Sequence, residues 1–205
     1  MSANSYSNTS KPGTICYTAH GNLYLNITNR CTARCVFCVR DLSDGVYGYN
    51  LRLLYEPSVE EIKQALEKNN FLKYREIVFT GFGEPTVRLD DMLSLIRWLK
   101  GHGAYVRLDT NGHAQLLYPN RDVVKELKDA GLDAISVSLN AESEDIYNRL
   151  CQPRYKNAYQ SMLDFTKKAV NLGMRTRMTV VGFTEIDIEK CKRIADNMGA
   201  DFHVR

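Results

Sequence analysis

"NLYLNITNRCTARCVFCVR", residues 22–40, decides how the rest of the chain reads. Its first seven residues alternate apolar and polar, the period of a half-buried strand. Three cysteines then fall within eight positions, Cys31, Cys35 and Cys38, spaced C-x3-C-x2-C. A strand that runs straight into a thiol-rich loop raises two questions: which metal the loop holds, and which fold presents it.

Working outward, the strand pattern recurs and helical patterns separate the repeats. Ser58 and Glu61 stand in capping-box spacing just after Pro57, and Val59, Ile62 and Leu66 fall on one helical face. Strands are expected at residues 75–80, 104–110, 134–139, 175–182 and 201–205. Between them lie further apolar helical faces, such as Leu89, Met92, Leu93, Ile96 and Leu99 before Gly101, or Ile188, Cys191, Ala195 and Met198 before Gly199. Six strands separated by helices imply repeated βαβ units and a parallel α/β sheet. A full barrel has eight such units, so six predict a partial, open (β/α)6 barrel of six parallel strands. A doubly wound parallel sheet is the alternative. Either way, ligands belong at the carboxyl ends of the strands, where the cysteines, "GFGEP", "TNG" and "NA" all fall.

Composition narrows the class. The chain has 205 residues, with 44% apolar residues, 25% charged residues and a formal charge of +3. That charge calls for neither nucleic acid nor an anionic membrane. No apolar run approaches the roughly 20 residues of a membrane span. Residues 1–14 are polar, lack a signal-peptide core and read as a disordered leader, with one domain over residues 15–205. A cytoplasmic location follows, where six cysteines stay reduced rather than forming disulfides.

Dense thiolates select zinc or an iron–sulfur cluster. Structural zinc wants four ligands, and Cys16 or His20 could supply the fourth. A [4Fe–4S] cluster ordinarily takes four cysteines, so three leave one iron open to a substrate or cofactor. Cys16, Cys151 and Cys191 are scattered and read as buried structural residues. A zinc-binding module and a non-catalytic iron–sulfur sensor are therefore the alternatives to an enzyme.

"CTARCVFC" resembles the cluster motif of the radical S-adenosylmethionine (SAM) enzymes, with aromatic Phe37 before the third cysteine. The resemblance implies a partial barrel, a [4Fe–4S] cluster on Cys31, Cys35 and Cys38, and reductive cleavage of SAM to a 5′-deoxyadenosyl radical. That radical would abstract hydrogen from a substrate. "GFGEP", residues 81–85, looks like the superfamily's GGEP motif, with Phe82 in place of a glycine. By resemblance, Gly81, Phe82, Gly83 and the Glu84 carboxylate hold the methionyl ammonium. "LDTNG" resembles glycyl-radical-enzyme activases, which implies a monovalent cation on Asp109 and Thr110, with Asn111 near SAM. Ser138, Asn140, Val181 and Val204 stand where the superfamily contacts SAM, and Phe183 lies beside them. Arg149 and Arg154 are candidates for the SAM carboxylate, and Arg40 for the electron donor's surface.

At finer grain, residues 22–51 with "GFGEPTVR" look like the small TatD-associated radical SAM proteins. This implies a link to a TatD-type hydrolase and an electron donor such as flavodoxin or ferredoxin. The Tyr- and Gly-rich residues 41–58 read as a lid, a partner surface or a static loop. With nothing expected over the barrel mouth, a bulky peptide or protein substrate is anticipated.

Overall fold

The structure, a computed structural model, describes residues 13–182 and 185–205. Residues 1–12 of the expected leader, and Phe183, lie outside the described residues. The chain opens with strand β1 (Cys16–Ala19), which turns at His20 and Gly21 into β2 (Asn22–Asn26). A short helix α1 (Val39–Leu42) and a hairpin of β3 (Gly45–Val46) and β4 (Tyr49–Asn50) follow. Then come α2 (Val59–Lys68), β5 (Ile77–Thr80), α3 (Leu89–Gly101), β6 (Val106–Thr110), α4 (Ala114–Leu117), α5 (Val123–Asp129) and β7 (Ala134–Ser138). The chain finishes with α6 (Glu144–Cys151), α7 (Ala158–Asn171), β8 (Arg175–Val180), α8 (Ile188–Met198) and β9 (Asp201–Val204).

The main sheet has seven strands in the order β1-β2-β5-β6-β7-β8-β9. The six expected strands are all parallel and lie in chain order. A doubly wound sheet reverses its order at a switch point. No reversal occurs here, so successive crossovers advance in one direction and curl the sheet as in a partial barrel. β1 is the addition: it pairs antiparallel with β2, Cys16 opposite Leu25. It makes the sheet mostly rather than wholly parallel.

Alternation divides each strand between two environments. Leu23, Leu25, Ile77, Phe79, Val106, Leu108, Ile135, Val137 and Met178 are buried in one continuous core with the helices. Each such buried side chain contributes about 1.5–3 kcal/mol of transfer free energy. The opposite parity carries Tyr24, Arg107, Asp109, Arg177 and His203, which line an interior cavity of about 910 Å³. The helices thus seal the outside of the sheet, and a polar chamber remains within. The capping box of α2 is formed as its sequence predicts: Ser58 accepts from the Glu61 amide, and the Glu61 carboxylate accepts from the Ser58 amide. No helix among the described residues is long and apolar enough to cross a membrane.

Candidate active site

The three cysteines leave the carboxyl end of β2 in an extended loop clamped against the end of α6. The Arg34 amide donates to the Cys151 carbonyl (3.1 Å) and the Val36 amide to that of Leu150 (2.9 Å). The Arg154 amide donates to the Thr32 carbonyl (2.8 Å), and Ala33 bridges Pro153. All three thiols are partly accessible. Burial is the leading influence on Cys31, whose pKa is pushed up to about 11, and on Cys38, which is also raised. Cys35 is raised first by a hydrogen bond with Cys151 and then by burial. Opposing these, the Arg40 guanidinium favours the thiolate at all three positions. The amides of Ala33 and Arg40 do the same at Cys31 and Cys38 respectively. Among the described residues no three His, Cys, Asp or Glu side chains are gathered as a metal's ligand set. Gathering the three sulfurs requires Cys35 to adjust beside Cys151. The donor chemistry nevertheless fits an iron–sulfur cluster: three thiols, amides aimed at two of them, and a shared cation.

Two glycines let the next rim segment reach this loop. A Cβ on Gly81 would lie 2.3 Å from Asn26 Oδ1, and one on Gly83 would lie 2.4 Å from the Arg30 carbonyl oxygen. Gly81 also holds φ at +119°. Phe82 needs no such freedom. Its ring leaves the rim for a small apolar cluster with Tyr17 and Leu51, while its amide donates to Asn26 Oδ1 (3.2 Å).

Glu84 is 3% exposed. One carboxylate oxygen accepts from the Thr86 amide (3.2 Å), the Thr86 hydroxyl (2.7 Å) and the Thr110 hydroxyl (2.8 Å). The other accepts from the Asn111 amide (2.8 Å). Burial raises its pKa, and these donors oppose the rise. The carboxylate is committed to tying the end of β5 to the end of β6, which differs from the ammonium-holding role its motif implies.

Asn111 completes the junction. Its Nδ2 donates to Thr32 Oγ1 (2.8 Å) and lies 3.8 Å from Cys31 Sγ, and its Oδ1 accepts from the His113 amide (3.1 Å). Behind it stand residues that sequence reading missed. His113 is fully buried, with Nδ1 3.1 Å from Thr32 Oγ1 and Nε2 2.7 Å from the Tyr147 hydroxyl. Thr32 Oγ1 accepts from Asn111 and keeps a second lone pair and its own hydrogen, so either tautomer of the His113 ring satisfies these contacts. Burial lowers the His113 pKa to about 4, so the ring is neutral.

Other sequence candidates separate. Asp109 faces the cavity and pairs with Arg107, whereas Thr110 has the opposite parity and serves Glu84. Their side chains do not converge on a cation. Ser138 accepts from Arg205 Nη2 (3.2 Å). Asn140, at φ +56°, is buried; its Nδ2 donates to Cys151 Sγ (3.6 Å), and its Oδ1 has no partner among the described residues. Val181 follows β8 on the parity of Arg177 and Thr179. Val204 shares the parity of Phe202, away from the cavity-lining His203 and Arg205. Arg149 is exposed beside Glu185. Phe37 packs against the main core. Cys16 is buried in that core and raised to about 12 by burial, and His20 pairs with Tyr47 at the opposite strand end. Neither stands by the cysteine loop as a fourth zinc ligand. Residues 41–58 do not hang free: their hairpin is held by Thr18 Oγ1 against the Tyr49 hydroxyl (3.0 Å) and by Asn26 Nδ2 donating to the Leu51 carbonyl (2.8 Å).

The family model described as the Radical SAM superfamily matches residues 25–198, from β2 through α8. The chain belongs to the Radical SAM superfamily. Members of the Radical SAM superfamily use a [4Fe–4S] cluster and S-adenosylmethionine. A probable GTP 3′,8-cyclase of Thermococcus kodakarensis is 32% identical over 129 residues, 63% of this chain and 38% of that protein. A PqqA peptide cyclase of Bradyrhizobium diazoefficiens is 30% identical over 143 residues, 70% of this chain and 34% of its own length. Streptococcus suis SuiB bound to precursor peptide SuiA superposes with a TM-score of 0.66 at 18% identity, covering 87% of this chain and 37% of that one. The chain therefore spans little more than a third of the length of these proteins, and the fold likeness to SuiB reaches across nearly all of it.

Proposed function

We infer that this chain is the cofactor core of an enzyme that cleaves S-adenosylmethionine reductively and directs the resulting radical at a substrate. One observation carries the reading. Asn111 reaches Cys31 and Thr32 with its side chain and Glu84 with its amide, joining the cysteine loop, the glycine turn and the end of β6 in one hydrogen-bonded unit. When bound, the cluster supplies the electron that breaks a C–S bond of SAM. The chain's own residues do the rest. Cys31, Cys35 and Cys38 hold the cluster under the Arg40 charge. The backbone of Gly81, Phe82 and Gly83, kept open by two missing Cβ atoms, receives the methionyl group. Asn140 belongs to the same rim, its buried Oδ1 without a hydrogen-bond partner among the described residues. Ser138 and Val181 stand on the same rim. Electrons come from a flavodoxin or ferredoxin, and Arg40 belongs to the surface such a donor approaches. The peptide-directed relatives support a peptide or protein substrate.

The test is anaerobic reconstitution followed by incubation with SAM and a strong reductant. Iron and sulfide near four each per chain, with methionine and 5′-deoxyadenosine as products, support the reading. Zinc alone, or a cluster with no cleavage product, overturns it.

A further inference from the structure

The interior chamber carries five arginines against three carboxylates. Arg107 is satisfied by Glu76 (2.9 Å) and Asp109, and Arg175 faces Asp201 (3.9 Å). Arg177 and Arg205 have no carboxylate partner among the described residues. Each rests on a neutral hydroxyl: Arg177 Nε donates to Ser136 Oγ (2.9 Å) and Arg205 Nη2 to Ser138 Oγ (3.2 Å). Ser136 and Ser138 are two residues apart on β7, so the two hydroxyls stand about 7 Å apart along one face. Arg177 is half-buried and Arg205 is exposed, with Asp109 and Arg177 among the charges that act on Arg205. The two guanidiniums thus sense one another.

Serine hydroxyls are neutral and leave both guanidiniums with donors for an oxyanion, and a guanidinium fork matches phosphate and carboxylate oxygens.

We propose that Arg177 and Arg205 bind an oxyanion of the substrate, so that this chain acts on molecules bearing a phosphate or carboxylate group. The proposal rests on the radical SAM reading only in calling the bound anion a substrate.

Calorimetric titration of the reconstituted full chain, under argon with SAM saturating, tests it. Inorganic pyrophosphate and succinate are the probes for the two oxyanion sources. At least one should bind saturably and weaken as salt is raised. Arg177→Met and Arg205→Met should each weaken that binding about tenfold, the worth of a charged hydrogen bond. SAM affinity should stay within about twofold, since a tenfold change is 1.4 kcal/mol. Circular dichroism checks the fold. If a Met variant unfolds, Arg177→Lys and Arg205→Lys keep the charge, lose the fork and should still weaken the anion several-fold. The proposal fails if neither probe binds, if binding ignores all these substitutions, or if SAM affinity falls as far as anion affinity. The last result would give the pair to the SAM carboxylate. Failure of the wider reading would show separately, as wild-type protein that neither binds nor cleaves SAM.

Discussion

Gly81 and Gly83 are fixed by steric need, and Phe82 between them is not. Added methyl groups would meet Asn26 and the Arg30 carbonyl oxygen well inside contact distance. Gly81→Ala and Gly83→Ala are therefore expected to cost about 1–3 kcal/mol each in urea unfolding. Phe82→Leu, which only trims the small apolar cluster, should cost about 1 kcal/mol. Equal costs at all three positions would contradict this assignment. Cys151 gives a second residue-level prediction. Its sulfur accepts from Asn140 and is hydrogen-bonded with the Cys35 thiol; once Cys35 is a thiolate ligand, the Cys151 S–H is the proton left to donate between them. Hydrogen bonds to cluster sulfurs help set the potential. Cys151→Ala should shift the cluster midpoint negative in an EPR-monitored titration, and Cys151→Ser should shift it less; identical midpoints would remove the role. His113 supplies a pH dependence. Its folded pKa of about 4 lies below the ordinary 6.5, so its contribution is complete above pH 6.5 and drains as pH falls toward 4. The shift corresponds to roughly 3 kcal/mol. Melting curves of His113→Gln should fall less steeply than wild type across that window; parallel slopes would show that another group governs acid stability. The cysteine spacing and "GFGEP" were legible because each motif is contiguous. Thr32, His113 and Tyr147 were not, because their partners lie 81 and 34 residues apart and no local pattern links them.

At the scale of elements, the capping box of α2 was readable because both partners lie within four residues of chain. β1 was missed for the opposite reason: four residues carry too little alternation to register. A signal was present in the His20-Gly21 turn, where both residues hold positive φ, as a two-residue hairpin requires. The stretch from 41 to 58 packs its hairpin onto the sheet and leaves Leu42, Tyr47, Leu54 and Tyr55 exposed. Asn26 is its anchor: fully buried, it donates to the Thr14 (3.0 Å) and Leu51 (2.8 Å) carbonyls and accepts from the Phe82 amide. Asn26→Leu leaves three backbone groups unmatched. It should speed hydrogen exchange at residues 44–53 while leaving α3 unchanged. Uniform acceleration across the chain would mean that Asn26 supports the whole fold rather than this hairpin.

For the molecule as a whole, chain-ordered parallel strands bring five separated segments to one rim, and side-chain parity leaves a basic chamber beneath it. The six-strand count was visible in the alternation of patterns, because each βαβ unit is local. The charge of the chamber was not, because Arg177 and Arg205 become neighbours only through the sheet. The account stands on three thiols at the end of β2 serving one cluster that activates SAM. The most direct measurement is iron, sulfide and 5′-deoxyadenosine on the same anaerobic sample, for wild type, Cys31→Ala, Cys35→Ala, Cys38→Ala and Cys191→Ala. Wild type and Cys191→Ala should hold the cluster and form the nucleoside, and the other three should do neither. A full cluster retained in any of those three, or a loaded wild type that leaves SAM intact, would contradict it.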